Sequence, residues 1–350
     1  MRKQILFALY ALCTLASIAQ QSTTQTSTSQ EQRRPRFDSL NPGVHDPVMA
    51  RGEDGRYYIF ATGMNVGVMS SDNLLTWKHE PGALKETPAW ATDTVPGYRG
   101  HTWAPDISYH NGLWHLYYSC STFGKNGSAI GLAVNKTLDP KSPDFGWVDK
   151  GMVIASHRNV DNFNAIDPNL IVDDKGQPYL SFGSFWDGIQ LIKLSKDDFK
   201  TPITKPVTIS RRVEKKVNLK EIKFDGGVEA GDNAVEAPFI IKHGKYYYLF
   251  VSFDYCCRGE KSTYKTVYGR SKKIEGPYLD KDGKRMDKGG GTYLYGPDEE
   301  FFGVGHNSAY EFDGQWYFVS HAYEKARNGG AFLFIRPMYF DKDGWIVSEK

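Results

Sequence analysis

A pattern repeated five times constrains this chain more than any other feature. Each copy has a polar start, often next to Pro, then a strand, a tight turn ending in Gly, and an aromatic strand. The copies are HDPVMARGEDGRYYIFAT from His45, WAPDISYHNGLWHLYYS from Trp103, IDPNLIVDDKGQPYLSFGS from Ile166, VEAPFIIKHGKYYYLFVS from Val235 and GHNSAYEFDGQWYFVSHA from Gly305. Their turn glycines, Gly55, Gly112, Gly176, Gly244 and Gly314, are spaced by 57, 64, 68 and 70 residues. Asp-Gly and Asn-Gly at most of these turns are strong hairpin signals, because those residues tolerate positive φ. The runs that follow, such as Tyr246-Tyr247-Tyr248-Leu249-Phe250, are aromatic or branched, as strands prefer. No long capped pattern of period 3.6 is present, so helices are expected to be few. Units of this length exceed leucine-rich and TPR repeats and suit four-stranded propeller blades. The expected fold is all-β, a five-bladed β-propeller; a β-sandwich with accidental internal similarity is the alternative, and it does not account for repeats that tile residues 45 to 323.

The ends of the chain read differently. Arg2 and Lys3, the short apolar run Ile5 to Leu15 and the small residues Ser17-Ile18-Ala19 form the pattern of a signal peptide over 1–19. Residues 20–36 are a Gln/Ser/Thr-rich leader expected to be disordered, and 37–350 a single catalytic domain. Simple export is favoured over lipidation at Cys13, since Leu12 poorly matches a lipoprotein box. The product is expected to be secreted, periplasmic or on the cell surface, with no membrane span, and monomeric. The chain holds 43 Lys+Arg against 41 Asp+Glu. Without Arg2 and Lys3 the balance is even, which provides no electrostatic footprint for nucleic acid. Beyond the leader three cysteines remain, Cys120, Cys256 and Cys257, too few for a disulfide framework. The adjacent pair is expected to be plain buried residues. Walker, GxSxG, CxxC and HExxH motifs are absent.

In a propeller the innermost strands line a central channel, so the motif starts converge at one end of it. They carry His45-Asp46, Trp103 and Asp106, Asp167, Glu236 and His306-Asn307. Asp46, Asp167 and Glu236, separated by 121 and 69 residues, thereby become neighbours. Burying several anions together costs desolvation and repulsion that a fold does not need. Glycoside hydrolysis does need a carboxylate to activate water and a carboxylic acid to protonate the leaving oxygen. Glu236, between Val235 and Ala237-Pro238, suits the acid, and Asp46, beside His45, the base. Asp167 suits a third anion that raises and orients Glu236. Trp103, Phe123, Phe185 and Trp186 are candidates for stacking on sugar faces, the last two within the glycine-flanked Gly183-Ser184-Phe185-Trp186-Asp187-Gly188.

At these residues the sequence resembles the family 43 glycoside hydrolases, and within them the endo-α-1,5-L-arabinanases. The motifs are His45-Asp46-Pro47, Trp103-Ala104-Pro105-Asp106, Asn164-Ala165-Ile166-Asp167-Pro168, Ser181-Phe182-Gly183-Ser184-Phe185-Trp186, Glu236-Ala237-Pro238-Phe239, Phe253-Asp254-Tyr255-Cys256-Cys257 and Gly303-Val304-Gly305-His306-Asn307. The resemblance implies a five-bladed propeller and an inverting mechanism on arabinan and arabino-oligosaccharides, with Asp46 as general base, Glu236 as general acid and Asp167 as modulator. It implies arabinose contacts at Asn164, Ala165, Ile166, Ser184, Phe185 and Trp186, with His45, Trp103 and Phe123 nearby. It also implies a hydrated cation, often calcium, at His306. Inversion would set the Asp46 and Glu236 carboxyls roughly 6.5–9.5 Å apart. The alternatives are an exo-acting arabinofuranosidase or xylosidase, and a non-catalytic glycan-binding propeller; the latter should have lost one of the acids, and all are present.

Overall fold

The computed structural model describes residues 37–222 and 232–348. The expected signal peptide 1–19 and leader 20–36 lie outside them. The chain is a five-bladed β-propeller. Blade I is Val48–Arg51, Tyr57–Ala61, Gly67–Ser71 and Lys78–Glu80; blade II is His101–His110, Leu113–Cys120, Ser128–Asn135 and Val148–Ser156. Blade III is Asn169–Val172, Pro178–Phe182, Ile189–Lys193 and Val207–Ser210. Blade IV is Val235–His243, Tyr246–Phe253, Lys265–Ser271 and Thr292–Tyr295. Blade V is Phe301–Phe312, Gln315–Glu324, Gly330–Phe340 and Ile346–Ser348. Strands within each blade pair antiparallel in chain order. The only α-helix among the described residues is the six-residue Ala89–Thr94.

The repeated glycines sit where they were expected, at the turn between the first and second strands. Asn111-Gly112 and Asp313-Gly314 are both left-handed at both positions, φ 53° and 80°, and 52° and 82°. That is the geometry a two-residue turn needs to match the twist of its strands. A methyl group added at Gly112 or Gly314 would meet nothing, so the backbone alone requires glycine there.

Each innermost strand packs against the next, and that of blade V packs against that of blade I. The ring is also closed on its outside. Val44 N–H donates to Ala331 O at 3.2 Å and Leu333 N–H to Pro42 O at 3.0 Å, tying the segment before blade I to blade V. Blade faces stack through apolar layers. Tyr117, Ile130 and Leu132 meet Leu180, Phe182 and Ile192 between blades II and III, and Ile189 and Leu191 meet Leu249 and Val251 between III and IV. Each fully buried large side chain there contributes about 2–3 kcal/mol. Because both faces of a blade are covered, second strands such as Tyr246–Phe253 are almost wholly buried and read as continuous apolar runs.

Candidate active site

At the head of every innermost strand one non-glycine residue adopts a left-handed backbone: Asp46 (φ 54°), Ala104 (37°), Asp167 (57°), Ala237 (55°) and His306 (52°). Pro follows the first four and Asn307 the fifth. In blades II, IV and V the feature coincides with a bulge, between Trp103 and Asp106, Glu236 and Phe239, and Gly305 and Ser308. Such a backbone costs on the order of 1 kcal/mol per residue, and it persists where surrounding contacts over-determine it.

Those contacts form a ring. The N–H of each left-handed residue donates to a side chain of the preceding blade. Ala104 donates to Thr62 Oγ1 at 2.9 Å, Asp167 to Ser119 Oγ at 3.0 Å and His306 to Ser252 Oγ at 2.8 Å. Ala237 donates to Asp167 Oδ2 at 3.1 Å, and Asp46 closes the circle by donating to His321 Nδ1 at 3.1 Å. None of Thr62, Ser119, Ser252 and His321 was singled out from the sequence. The signal was present, since three copies of the repeat end on Thr62, Ser119 and Ser252.

The ring brings Asp46, Asp167, Glu236 and His306 together, as the repeat predicted. Thr62 Oγ1 donates to Asp46 Oδ2 at 2.5 Å, and His306 Nδ1 lies 3.0 Å from Asp46 Oδ1. Burial disfavours the Asp46 charge, but the charge and hydrogen bond of His306 outweigh it and hold the carboxyl well below the usual range. Burial also opposes charge on His306, yet Asp46, Asp167 and Glu236 push its pKa up to about 9. His321 is driven well below its ordinary value by burial, with His45 and His306 adding to the effect, and is therefore neutral. Because its Nδ1 accepts the Asp46 amide, its proton sits on Nε2, 3.2 Å from the Tyr323 hydroxyl.

The Glu236 carboxyl group is gripped from two sides. Ser184 Oγ donates to Oε2 and the Tyr264 hydroxyl to Oε1, both at 2.8 Å. Tyr264 is fully buried and sits just before the strand Lys265–Ser271, with no motif of its own to mark it. The strongest upward push among the carboxyls falls on Asp167. Burial, opposed by His306 and reinforced by Glu236 and Asp46, raises it to about 8, so the cluster holds a proton at neutral pH. Asp106 lies one layer away from the trio. It accepts from Leu170 N–H at 2.8 Å and Asn169 Nδ2 at 3.2 Å, and Asn169 Oδ1 accepts from Ile240 N–H at 2.8 Å, which joins blades II, III and IV.

The remaining candidates are distributed around this center. The His45 ring lies tilted against that of His321, centroids 4.4 Å apart. Trp103 is half-buried, its Nε1 donating to His101 Nδ1 at 2.9 Å, and Phe123 is 71% exposed. Asn164 is buried, with Oδ1 unpartnered. Ala165 is enclosed, Ile166 and Ser184 are buried, and Trp186 keeps only 3% of its surface, leaving little of it for a sugar. Phe185 is half-buried, and both aromatics of the Phe185-Trp186 turn have left-handed backbone, φ 56° and 41°. For a cation, His306 Nδ1 is committed to Asp46, which leaves Nε2 as its remaining donor. Next to it, Asn307 buries both amide atoms without a partner. One nitrogen beside carboxylates and an orphaned buried amide fits an ion that keeps most of its water, and does not fit one stripped of it.

Asp46, Asp167 and Glu236, gathered beside His306 at the heads of the innermost strands, define the class: a propeller carrying the carboxyls that acid/base hydrolysis uses. Residues 40–346 match the model of the glycosyl hydrolases family 43, and the chain belongs to that family. It is similar to the crystal structure of an exo-1,5-α-L-arabinanase from a bovine ruminal metagenomic library, at 61% identity and TM-score 0.84, covering 91% of this chain and 100% of that one. It is 47% identical to the extracellular exo-α-(1→5)-L-arabinofuranosidase of Cellvibrio japonicus, over 88% of this chain and 87% of that protein. It is 40% identical to the extracellular endo-α-(1→5)-L-arabinanase 1 of Bacillus subtilis, over 88% of each chain.

Proposed function

We propose that this glycoside hydrolase cleaves α-1,5-linked L-arabinan with inversion. The observation that carries the chemistry is the contrast between two carboxyls: Asp46 kept ionised against His306, and Glu236 aimed by Ser184 and Tyr264. Asp46 takes a proton from the attacking water as the water bonds to the anomeric carbon. Glu236 gives its proton to the leaving glycosidic oxygen. Asp167, fixed by the Ala237 amide, keeps a proton in reserve beside Glu236. Substrate class comes from the relatives, all three of which bear arabinan-directed names. Inversion predicts that the first product of an α-linked substrate is the β-anomer by NMR. An initial α-anomer overturns it.

On cleavage mode, the sequence motifs point to endo attack. The two relatives at 61% and 47% identity are named as exo-acting and the one at 40% as endo-acting. This gradient favours exo attack from a chain end as the working mode. A time course on linear arabinan decides it: a short product accumulating alone from the start means exo, and long oligomers appearing early mean endo.

We also propose that His306 Nε2, with Asn307 beside it, holds a hydrated calcium ion, and that residues 1–19 direct export. When bound, such an ion supplies positive charge facing the carboxylates. A proton on His306 would otherwise supply that charge.

A further inference from the structure

The loop 254–258 does not match the expectation of plain buried cysteines. Cys256 is half-buried, Cys257 is exposed, and their sulfurs approach to 2.6 Å. That is far closer than unbonded sulfurs pack and only about half an ångström longer than an S–S bond of ~2.05 Å. Adjacent Cα atoms, ~3.8 Å apart, fall below the usual disulfide span, so the sulfurs meet here only because the backbone is held for it. Cys257 is left-handed, φ 61°. The Asp254 carboxylate pairs with Arg212 at 2.9 Å and Lys265 at 2.7 Å, and Thr263 N–H donates to Tyr255 O at 3.0 Å. Arg258 lies 3.8 Å over the Tyr255 ring.

We propose that Cys256 and Cys257 form a vicinal disulfide that fixes this loop against the active site. Two lines of contact lead inward. Cys257 N–H donates to the Tyr323 hydroxyl at 2.7 Å, and through His321 that hydroxyl connects to the Asp46 amide. Tyr255 meets Phe185, ring to ring at 5.9 Å, beside Ser184, which grips Glu236. The pair is a positioning element and not a catalytic one, since neither sulfur takes part in the acid/base steps.

The chemistry needs a disulfide-bearing oxidant such as oxidised glutathione. The accessible Cys257 thiolate attacks one of its sulfurs, forming a mixed disulfide and releasing one thiol. The Cys256 thiolate then displaces the second thiol and closes the ring. The protein loses two protons and two electrons, and the oxidant is reduced to two thiols.

Two measurements test this on the full chain purified without reductant. After denaturation and alkylation, the tryptic peptide 246–258 should be unlabelled and two hydrogens lighter, while buried Cys120 takes the label as an internal control. Two labels on that peptide overturn the disulfide. Separately, a mild reductant should raise KM on arabino-oligosaccharides by about three- to ten-fold with little change in kcat, reversed by oxidised glutathione. The Cys256→Ser/Cys257→Ser variant should have the raised KM and ignore both reagents. A wild-type KM unmoved by reduction overturns the positioning role. The kinetic arm rests on the arabinan reading and the labelling arm does not, so the two can fail separately.

Discussion

At the residue scale, the candidate site gives similar carboxyls different surroundings. Asp46 has cationic His306 at 3.0 Å, Asp167 has burial and like charge, and Glu236 has two hydroxyl donors. Removing either acid/base partner should be far costlier than removing a donor. Asp46→Asn and Glu236→Gln should each lower kcat by about 10²–10⁴-fold with unchanged melting temperature, measured on unactivated arabinan. Tyr264→Phe keeps the ring and deletes the hydroxyl that fixes Glu236 Oε1. Its kcat should fall by about ten-fold with KM nearly constant, and a KM effect alone would mean that Tyr264 serves binding. The cation is tested at the same scale. Stripping the protein with a chelator should lower activity and added calcium restore it, while His306→Ala should no longer respond. Full activity in a demonstrably stripped wild type would contradict the site.

At the element scale, the hairpins set blade register and the left-handed strand heads set the site. The two uses of positive φ differ in what enforces them. At Gly314 nothing but the turn demands it, and an added methyl has free space. Gly314→Ala should therefore cost about 1–2 kcal/mol through backbone strain alone, lowering the thermal midpoint without touching kcat. At Asp46 and His306 the strain is carried by non-glycine residues and balanced by amide latches from the neighbouring blade. The hairpins were legible because Asn-Gly and Asp-Gly are local signals. The strand heads were legible as motif starts, but not as backbone geometry: a residue before Pro is ordinarily extended, and the left-handed form fits only through amide latches to the neighbouring blade, with a sheet bulge beside them in blades II, IV and V.

At the scale of the whole molecule, polar layers pin the blades to one another around the channel. Asp106 is the titratable member of the layer joining blades II, III and IV. Burial pushes it up to about 7, against hydrogen bonds from Leu170, Asn169 and Ile107. Its folded pKa lies above the unfolded value near 3.8, so the folded state binds more protons between those limits. The stability it contributes is present below about pH 4 and is lost as pH rises through 7, on the order of 2–4 kcal/mol. Melting curves at pH 5 and pH 8 should show wild type losing more stability across that interval than Asp106→Asn. Equal losses would remove Asp106 from the account.

The sequence by itself determined the blade count, the turn positions, the family and the meeting of Asp46, Asp167, Glu236 and His306. A repeat places equivalent residues at equivalent radii once the ring closes, and the repeat is written in local residue patterns. Tertiary structure alone decided who holds those residues. His321 meets Asp46 across 275 positions, and Tyr264 reaches Glu236 across 28. No local periodicity records such pairings: the first arises only when one blade's second strand is laid against the next blade's strand head, and the second only when the loop before a blade's third strand folds back onto its own strand head. The cysteine loop belongs to the same category. Adjacent cysteines are a local fact, but the 2.6 Å approach of their sulfurs accompanies ion pairs from Arg212 and Lys265 to Asp254 and a hydrogen bond from the Cys257 amide to the Tyr323 hydroxyl, partners that converge from elsewhere in the fold.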